Sequence, residues 1–193
     1  MSDYGPTAND ETFDDLPEVP KWPKVVGIVS VVLGSLGLIC NGCGAAYMFG
    51  SEQILKMAEP QMGPAPSVMI PSPVLTVVVM ISFLWAILLL IAGILSIARN
   101  PTTRMTHLVY AVGGLLIVGV ATYLQMEQQA AMTEWARQNP DNPWAQNADS
   151  PMAVVSLYLG VVLGATWPIF CLIWFGVVKT RREQITGGVE AVA

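Results

Sequence analysis

The sequence predicts an all-α integral membrane protein, an antiparallel bundle of four transmembrane helices with a small exofacial cap. Only 12% of its 193 residues are charged, whereas soluble domains contain about 25%. The deficit lies in four long blocks without Asp, Glu, Lys or Arg. A helix needs about 20 residues to cross the ~30 Å hydrocarbon core of a bilayer, and each block reaches that length.

The predicted spans cover about 25–49, 73–98, 104–126 and 152–178. A core helix of a soluble protein keeps a polar face, but the second span is apolar on every side from Val74 to Ala98. Only a bilayer tolerates four such helices in so short a chain. We therefore predict one transmembrane domain over residues 23–180.

Both ends of the chain are predicted to be tails. Residues 1–22 are acidic, with few large apolar side chains, which is typical of a disordered segment. Six carboxylates fall in this region: Asp3, Asp10, Glu11, Asp14, Asp15 and Glu18. At the other end, residues 181–193 are predicted to be flexible. Both tails are expected in the cytoplasm.

The orientation follows from the basic residues near the span ends, which are enriched on the cytoplasmic side. Seven of the nine lie on one side: Lys21, Lys24, Arg99, Arg104, Lys179, Arg181 and Arg182. Only Lys56 and Arg137 lie on the other side. The sequence therefore predicts a protein of the cytoplasmic (plasma) membrane with both termini and the link between spans two and three in the cytoplasm.

The connections differ in length. The link "ARNPTTR" is so short that spans two and three must be antiparallel neighbours, with Thr102 or Thr103 as the helix cap. The first outer connection, residues 52–73, carries five prolines and is expected to be mostly irregular. The second outer connection begins with good helix formers, so the third helix is expected to continue outside the membrane to about residue 138.

Small residues predict how the spans pack. In the first span they recur at steps of three and four residues, forming one stripe of Gly27, Ser30, Gly34, Gly37, Asn41 and Gly44. The fourth span has a shorter version, which includes Gly160 and Gly164. Close backbone approach over small residues drives helix association in lipid. The stripe is therefore predicted to face another helix, in the same bundle or in a second copy, and Asn41 to bond across that interface.

Cys40 and Cys43 form a C-x-x-C pair near the outer end of the first span. The simpler interpretation is two small residues in a packed helix. The alternative is a redox pair like that of four-helix quinone-linked thiol oxidases, but those enzymes also need a second cysteine pair in an exofacial loop to pass electrons on, and the chain has only three cysteines. Cys171 is expected near the inner end of span four, too far in depth to complete a zinc site.

The remaining metal-binding candidates are weak. Most of the ten methionines lie at or beyond the outer boundary, where thioethers could hold Cu(I), but they form no tight M-x-x-M cluster. His107, the single histidine, is expected at the membrane interface. We predict no metal, no cofactor and no catalytic residue, and no nucleic-acid partner because the basic residues are few and close to the membrane.

The leading hypothesis is a non-enzymatic scaffold, assembly factor or accessory subunit. Its partners would be the lipid bilayer and other membrane protein subunits or a second copy of the chain. One alternative is a small channel or transporter, although ion-coupled transporters usually place ionisable groups within their spans. The other alternative is a membrane thiol–disulfide oxidoreductase that uses Cys40 and Cys43.

Overall fold

The computed structural model describes residues 20–145, 151–177 and 185. Four long helices pack antiparallel, and the described part of the chain contains no strand, so the predicted fold class is confirmed. The helices are α1, Trp22–Met62; α2, Pro73–Ile97; α3, Thr103–Gln138; and α4, Pro151–Cys171. Each helix includes a stretch long and apolar enough to cross a membrane. This is a four-span helical membrane protein.

The bundle has two different ends. At the short-link end, residues 98–102 join α2 to α3, α1 begins and α4 ends. At the long-connection end, residues 63–72 join α1 to α2, and residues 139–150 join α3 to α4. Nearly all of the two predicted tails lies outside the described residues. In the second tail only Ile185 is described, and its side chain is 1% exposed.

The short link is organised by Asn100. Its side-chain Oδ1 accepts hydrogen bonds from the backbone N–H of Thr102 at 2.9 Å and from the Thr102 hydroxyl at 2.7 Å. Arg99 reverses the chain with a φ of 55°. Thr102 is the N-cap residue by position, but its side chain caps no backbone N–H of α3. The N-cap thus lies at one of the two predicted residues, but the Thr102 hydroxyl bonds to Asn100 instead of capping α3.

The first long connection is more helical than predicted. Helix α1 continues through Pro60 to Met62, so half of the segment expected to be irregular is helical. The helix ends where Gly63 takes a φ of 77° and donates its N–H to the Glu59 carbonyl at 2.9 Å. Glycine adopts positive φ without a steric penalty, which explains the termination at this residue rather than at the proline.

Two adjacent glycines let α3 pack against helices on two sides. The indole of Trp85 in α2 lies directly on Gly113, and its Nε1 donates to the Tyr110 carbonyl at 3.0 Å. On the other side, Cγ of Pro168 in α4 is 3.3 Å from where a Cβ of Gly114 would lie. The proline ring therefore fills the space that this glycine leaves.

The apolar core lies at the short-link end. It consists of Val26 from α1, Ala111 from α3, Cys171 from α4 and Phe175 from the π-helical residues Leu172–Val177 that follow α4. Partly buried aromatic side chains pack around it, Trp22 from α1 among them. This core is where the first helix of the chain meets the last.

Candidate functional site

The structure places most of the small-residue stripe of α1 against α2. A Cβ added at Gly27 would lie 2.8 Å from the Gly93 carbonyl oxygen, and one added at Gly34 would lie 2.9 Å from the Leu90 backbone nitrogen. Both distances are shorter than van der Waals contact, so the two backbones touch where no side chain fits. At Gly37 the nearest atom would be Cβ of Ala86, at 3.2 Å.

The polar members of the stripe behave differently from its glycines. Ser30 is fully buried and turns towards α3 rather than α2. Asn41 donates from Nδ2 to the Gly37 carbonyl of its own helix at 2.7 Å. The prediction that Asn41 bonds across the interface is therefore wrong. Its amide finds an acceptor one turn back on its own helix instead. Gly44 is less closely packed, since a Cβ added there would lie 4.0 Å from Cγ1 of Val79.

The two glycines predicted on α4 lie in unlike surroundings. A Cβ on Gly164 would meet Cγ2 of Val118 in α3 at 3.2 Å. A Cβ on Gly160 would meet nothing within 4 Å. The seam between α3 and α4 therefore includes Gly164, and Gly160 faces outwards.

The three cysteines lie in two different environments. Cys40 and Cys43 are free and exposed on α1, and Cys171 is free and buried in the core. Among the residues that the structure describes, no group of three His, Cys, Asp or Glu side chains could hold a metal ion.

His107 is the centre of the most unusual cluster in the structure. Its side chain is fully buried inside the bundle, and its position at the membrane interface stays a prediction. Nε2 lies 3.1 Å from Oγ of Ser30 in α1, and Nδ1 lies 2.9 Å from the backbone oxygen of Thr103, one turn earlier in α3. Burial of an imidazole is costly unless both ring nitrogens have partners, and here both do.

The two partners of His107 define its tautomer. The Thr103 carbonyl can only accept, so Nδ1 carries the proton and donates to it. In the neutral ring Nε2 is then an acceptor, and the Ser30 hydroxyl donates to it. This hydrogen bond joins α1 to α3 inside the bundle. Because both helices must keep their relative height for it to form, it fixes their register.

The face of the imidazole is covered by the end of the fourth helix. Phe175 stacks on His107 with ring centroids 4.5 Å apart and planes inclined by 22°. Trp22 of α1 lies against Phe175 at 6.1 Å and against Trp174 at 5.8 Å. The backbone oxygen of Phe175 accepts from Nε of Arg104 at 2.9 Å. Helices α1 and α3 and the π-helical turn thus meet at one histidine.

Two further hydrogen bonds hold the start of α1 at the same end. Ser96 of α2, also fully buried, donates to the Pro23 carbonyl at 2.8 Å. Arg99 donates from Nη2 to the Pro20 carbonyl at 3.1 Å. Both acceptors belong to the first residues of the described chain, so α2 and the short link together hold the start of α1.

Sequence reasoning found part of this cluster. Ser30 belongs to the predicted stripe, and His107 stood out as the single histidine. Thr103 could have been found from its position four residues before His107 on the same helix face. Phe175 could not, because nothing in its local sequence indicates which aromatic side chain of the fourth helix reaches the third.

The fold and this cluster define a class: a four-span helical membrane protein in which most of the described buried polar side chains lie at one end of the bundle. Comparisons with protein-family models, with curated proteins and with solved structures find no match for the chain. The functional argument therefore depends on the geometry of the chain itself.

Proposed function

We propose that the protein is a non-enzymatic scaffold, assembly factor or accessory subunit that binds another membrane protein, or a second copy of itself, through the outer face of α4. Three buried polar side chains of the cluster already have structural partners inside the bundle. Ser30, Ser96 and His107 each bond to a neighbouring element. This favours a role for the cluster in holding the bundle together over a role in catalysis.

The observation that carries the proposal is the contrast between the glycines of α1 and α4. Atoms of α2 lie against the close glycines of α1, but a Cβ added at Gly160 of α4 would meet no described atom within 4 Å. Around it the apolar side chains Tyr158, Leu159 and Leu163 are exposed by 67%, 55% and 67%. A helix face with an open glycine among apolar side chains allows a second helix to approach closely in lipid.

The packing of the short-link end argues against a simple pore. Ala111, Cys171 and Phe175 are all 0% exposed and fill the interior there, with His107 stacked on the phenyl ring. A conducting path along the bundle axis would have to displace these side chains. An accessory or scaffolding role requires no such rearrangement.

The test of the proposal compares two substitutions on α4. We expect Gly160→Leu to abolish a larger assembly in mild detergent and to leave the melting temperature of the monomer unchanged, because the added side chain enters open space. The matched control is Val162→Leu, which enlarges an exposed side chain of the same helix. Size-exclusion chromatography with light scattering reads the assembly, and mass spectrometry identifies any protein that copurifies.

Two results would refute the scaffold proposal. One is a wild-type protein that purifies as a monomer with no copurifying protein. The other is ion or solute flux through liposomes that contain the purified protein, which would favour the channel alternative.

The proposal includes residence in the cytoplasmic (plasma) membrane with both termini in the cytoplasm. It is supported by the basic residues of the short-link end, where Lys21, Lys24, Arg99 and Arg104 flank the helix ends. A reporter that is active only outside the cytoplasm, fused to the C-terminus, should be inactive. A fusion within the second long connection, after Asn142, should be active, and the reverse pattern would invert the topology.

A further inference from the structure

A pocket beside the first turn of α3 combines a cationic rim with an apolar wall. It has a volume of about 360 Å³ and is lined by Pro101, Arg104, Met105, Leu108 and Ile185. It lies at the short-link end, where the charged link gives way to the apolar span of α3. A pocket at that level faces the boundary between the lipid headgroups and the acyl chains.

One hydrogen bond holds the Arg104 side chain in place, and its guanidinium carries further N–H donors. Its Nε donates to the Phe175 carbonyl at 2.9 Å, which fixes the plane of the guanidinium. The side chain is otherwise exposed, and within the described residues no carboxylate lies within ion-pair distance of it. A guanidinium in this state presents its remaining N–H groups as a fork, the geometry that binds phosphate oxygens in a bidentate manner.

The apolar wall continues from Arg104 along α3 towards the middle of the membrane. Met105 is 67% exposed, and Leu108, one turn further on, packs at the edge of the core. The order along the helix is therefore a cation at the membrane surface followed by apolar side chains deeper in. A phospholipid has the same order, with an anionic headgroup above its acyl chains.

The charge at this end also matches an anionic headgroup. Lys21 and Lys24 are exposed on the first turn of α1, and Arg99 has a buried Nη1 for which the described residues supply no hydrogen-bond partner. Basic residues at a membrane surface attract anionic lipids by about 1 kcal/mol each, which corresponds to about fivefold in affinity.

We propose that this pocket binds an anionic phospholipid, with the phosphate on the Arg104 guanidinium and an acyl chain along Met105 and Leu108. The site is independent of the scaffold proposal, since it uses α3 at the short-link end rather than the outer face of α4. Arg104 already joins α3 to the end of the fourth helix through the Phe175 carbonyl. A lipid phosphate bound to Arg104 would hold its guanidinium in that position. The lipid is therefore a stabilising ligand of the folded bundle.

The test uses the full-length protein in detergent, titrated with phosphatidylglycerol or with phosphatidylcholine of the same acyl chains. The melting temperature should rise with phosphatidylglycerol at lower lipid concentration than with phosphatidylcholine. Arg104→Gln should raise the phosphatidylglycerol concentration for a half-maximal shift by about fivefold. Arg137→Gln, which removes an exposed arginine at the opposite end, should leave it unchanged. Each variant is compared with its own lipid-free melting temperature.

A second substitution keeps the proposal testable if Arg104→Gln fails to fold. Met105→Glu leaves the bond from Arg104 to Phe175 in place and sets a carboxylate on the pocket wall, so it should also weaken the phosphatidylglycerol response. Met126→Glu, an exposed methionine near the other end of the same helix, is its control. Equal responses in Met105→Glu and Met126→Glu would overturn the site. So would a full response to inorganic phosphate alone, which would show that the ligand is a free anion rather than a lipid.

Discussion

The two halves of the bundle differ in the serine, threonine and asparagine side chains that bond between helices. Near the short-link end, Ser30 and Ser96 bond to other helices. In the half nearer the long-connection end, Asn41, Ser82 and Thr122 each donate to the backbone carbonyl four residues earlier in their own helix. A hydrogen bond between helices depends on their relative position, and one within a helix does not.

This contrast indicates where the bundle is fixed and where it is open. The short-link end is held by directional bonds and by the aromatic contacts among Trp22, Trp174 and Phe175. Towards the long-connection end, α4 presents an outward face on which Gly160 has no neighbour. The outward face of α4 in this half therefore has surface left for a partner.

At the long-connection end, two side-chain hydrogen bonds reach the first long connection. Trp144 donates from Nε1 to the Gly63 carbonyl at 3.2 Å, and Gln128 donates from Nε2 to the Val68 carbonyl at 3.3 Å. Both bonds involve backbone acceptors of the first long connection. The Trp144 bond joins the two connections to each other, and the Gln128 bond ties α3 to the first connection.

The largest effect is expected at the buried histidine. His107→Ala should destabilise the protein by about 2–4 kcal/mol, because it leaves a cavity under Phe175 and removes the partner of the Ser30 hydroxyl. Thermal unfolding in one detergent measures the cost. Thr122→Ala, on the same helix in the other half, is the control and should cost well under half as much. Similar costs for the two would remove the basis for distinguishing the halves.

The next effect concerns the contact between α1 and α2. Gly34→Leu should cost about 1–3 kcal/mol, by analogy with overpacked cores, since even a Cβ there would lie 2.9 Å from the Leu90 nitrogen. Val32→Leu should be nearly neutral, because Val32 is 51% exposed. The loss should appear in the melting temperature of the monomer. If Gly34→Leu only dissolves an oligomer, the glycines of α1 serve a partner rather than α2.

A smaller difference should separate two serines. Ser30→Ala removes a bond between helices and should cost about 0.6 kcal/mol, the average for such bonds in membrane proteins. Ser82→Ala removes only a bond to its own helix, to the Val78 carbonyl at 2.8 Å, and should cost less. A double-mutant cycle of Ser30→Ala with His107→Phe isolates the shared interaction. A coupling energy of zero would mean that the hydroxyl and the imidazole contribute independently.

The smallest effect is expected from the cysteine pair. Cys40→Ala and Cys43→Ala together should change stability and any cellular phenotype little, because both side chains are exposed and neither forms a disulfide. The readouts are melting temperature and complementation of a deletion strain. Loss of the phenotype with unchanged folding would revive the oxidoreductase alternative.

The sequence by itself determined the number of spans and the all-α class, because four charge-free blocks of membrane-crossing length have no other stable solution in water or lipid. It also placed small residues at Gly27 and Gly34, where helix periodicity alone sets which side chains share a face. Local patterning is sufficient for these features because they depend on residues within a few turns of each other.

Only the tertiary structure decided which helix each face meets. The glycines of α1 lie on α2, Ser30 lies on His107 of α3, and Asn41 bonds within its own helix. His107 is separated from Ser30 by 77 residues, and no local pattern carries that pairing. The physical reason is that a polar side chain in lipid needs a partner, but the nearest acceptor is fixed by the relative rotation and height of the helices, which only their packing sets.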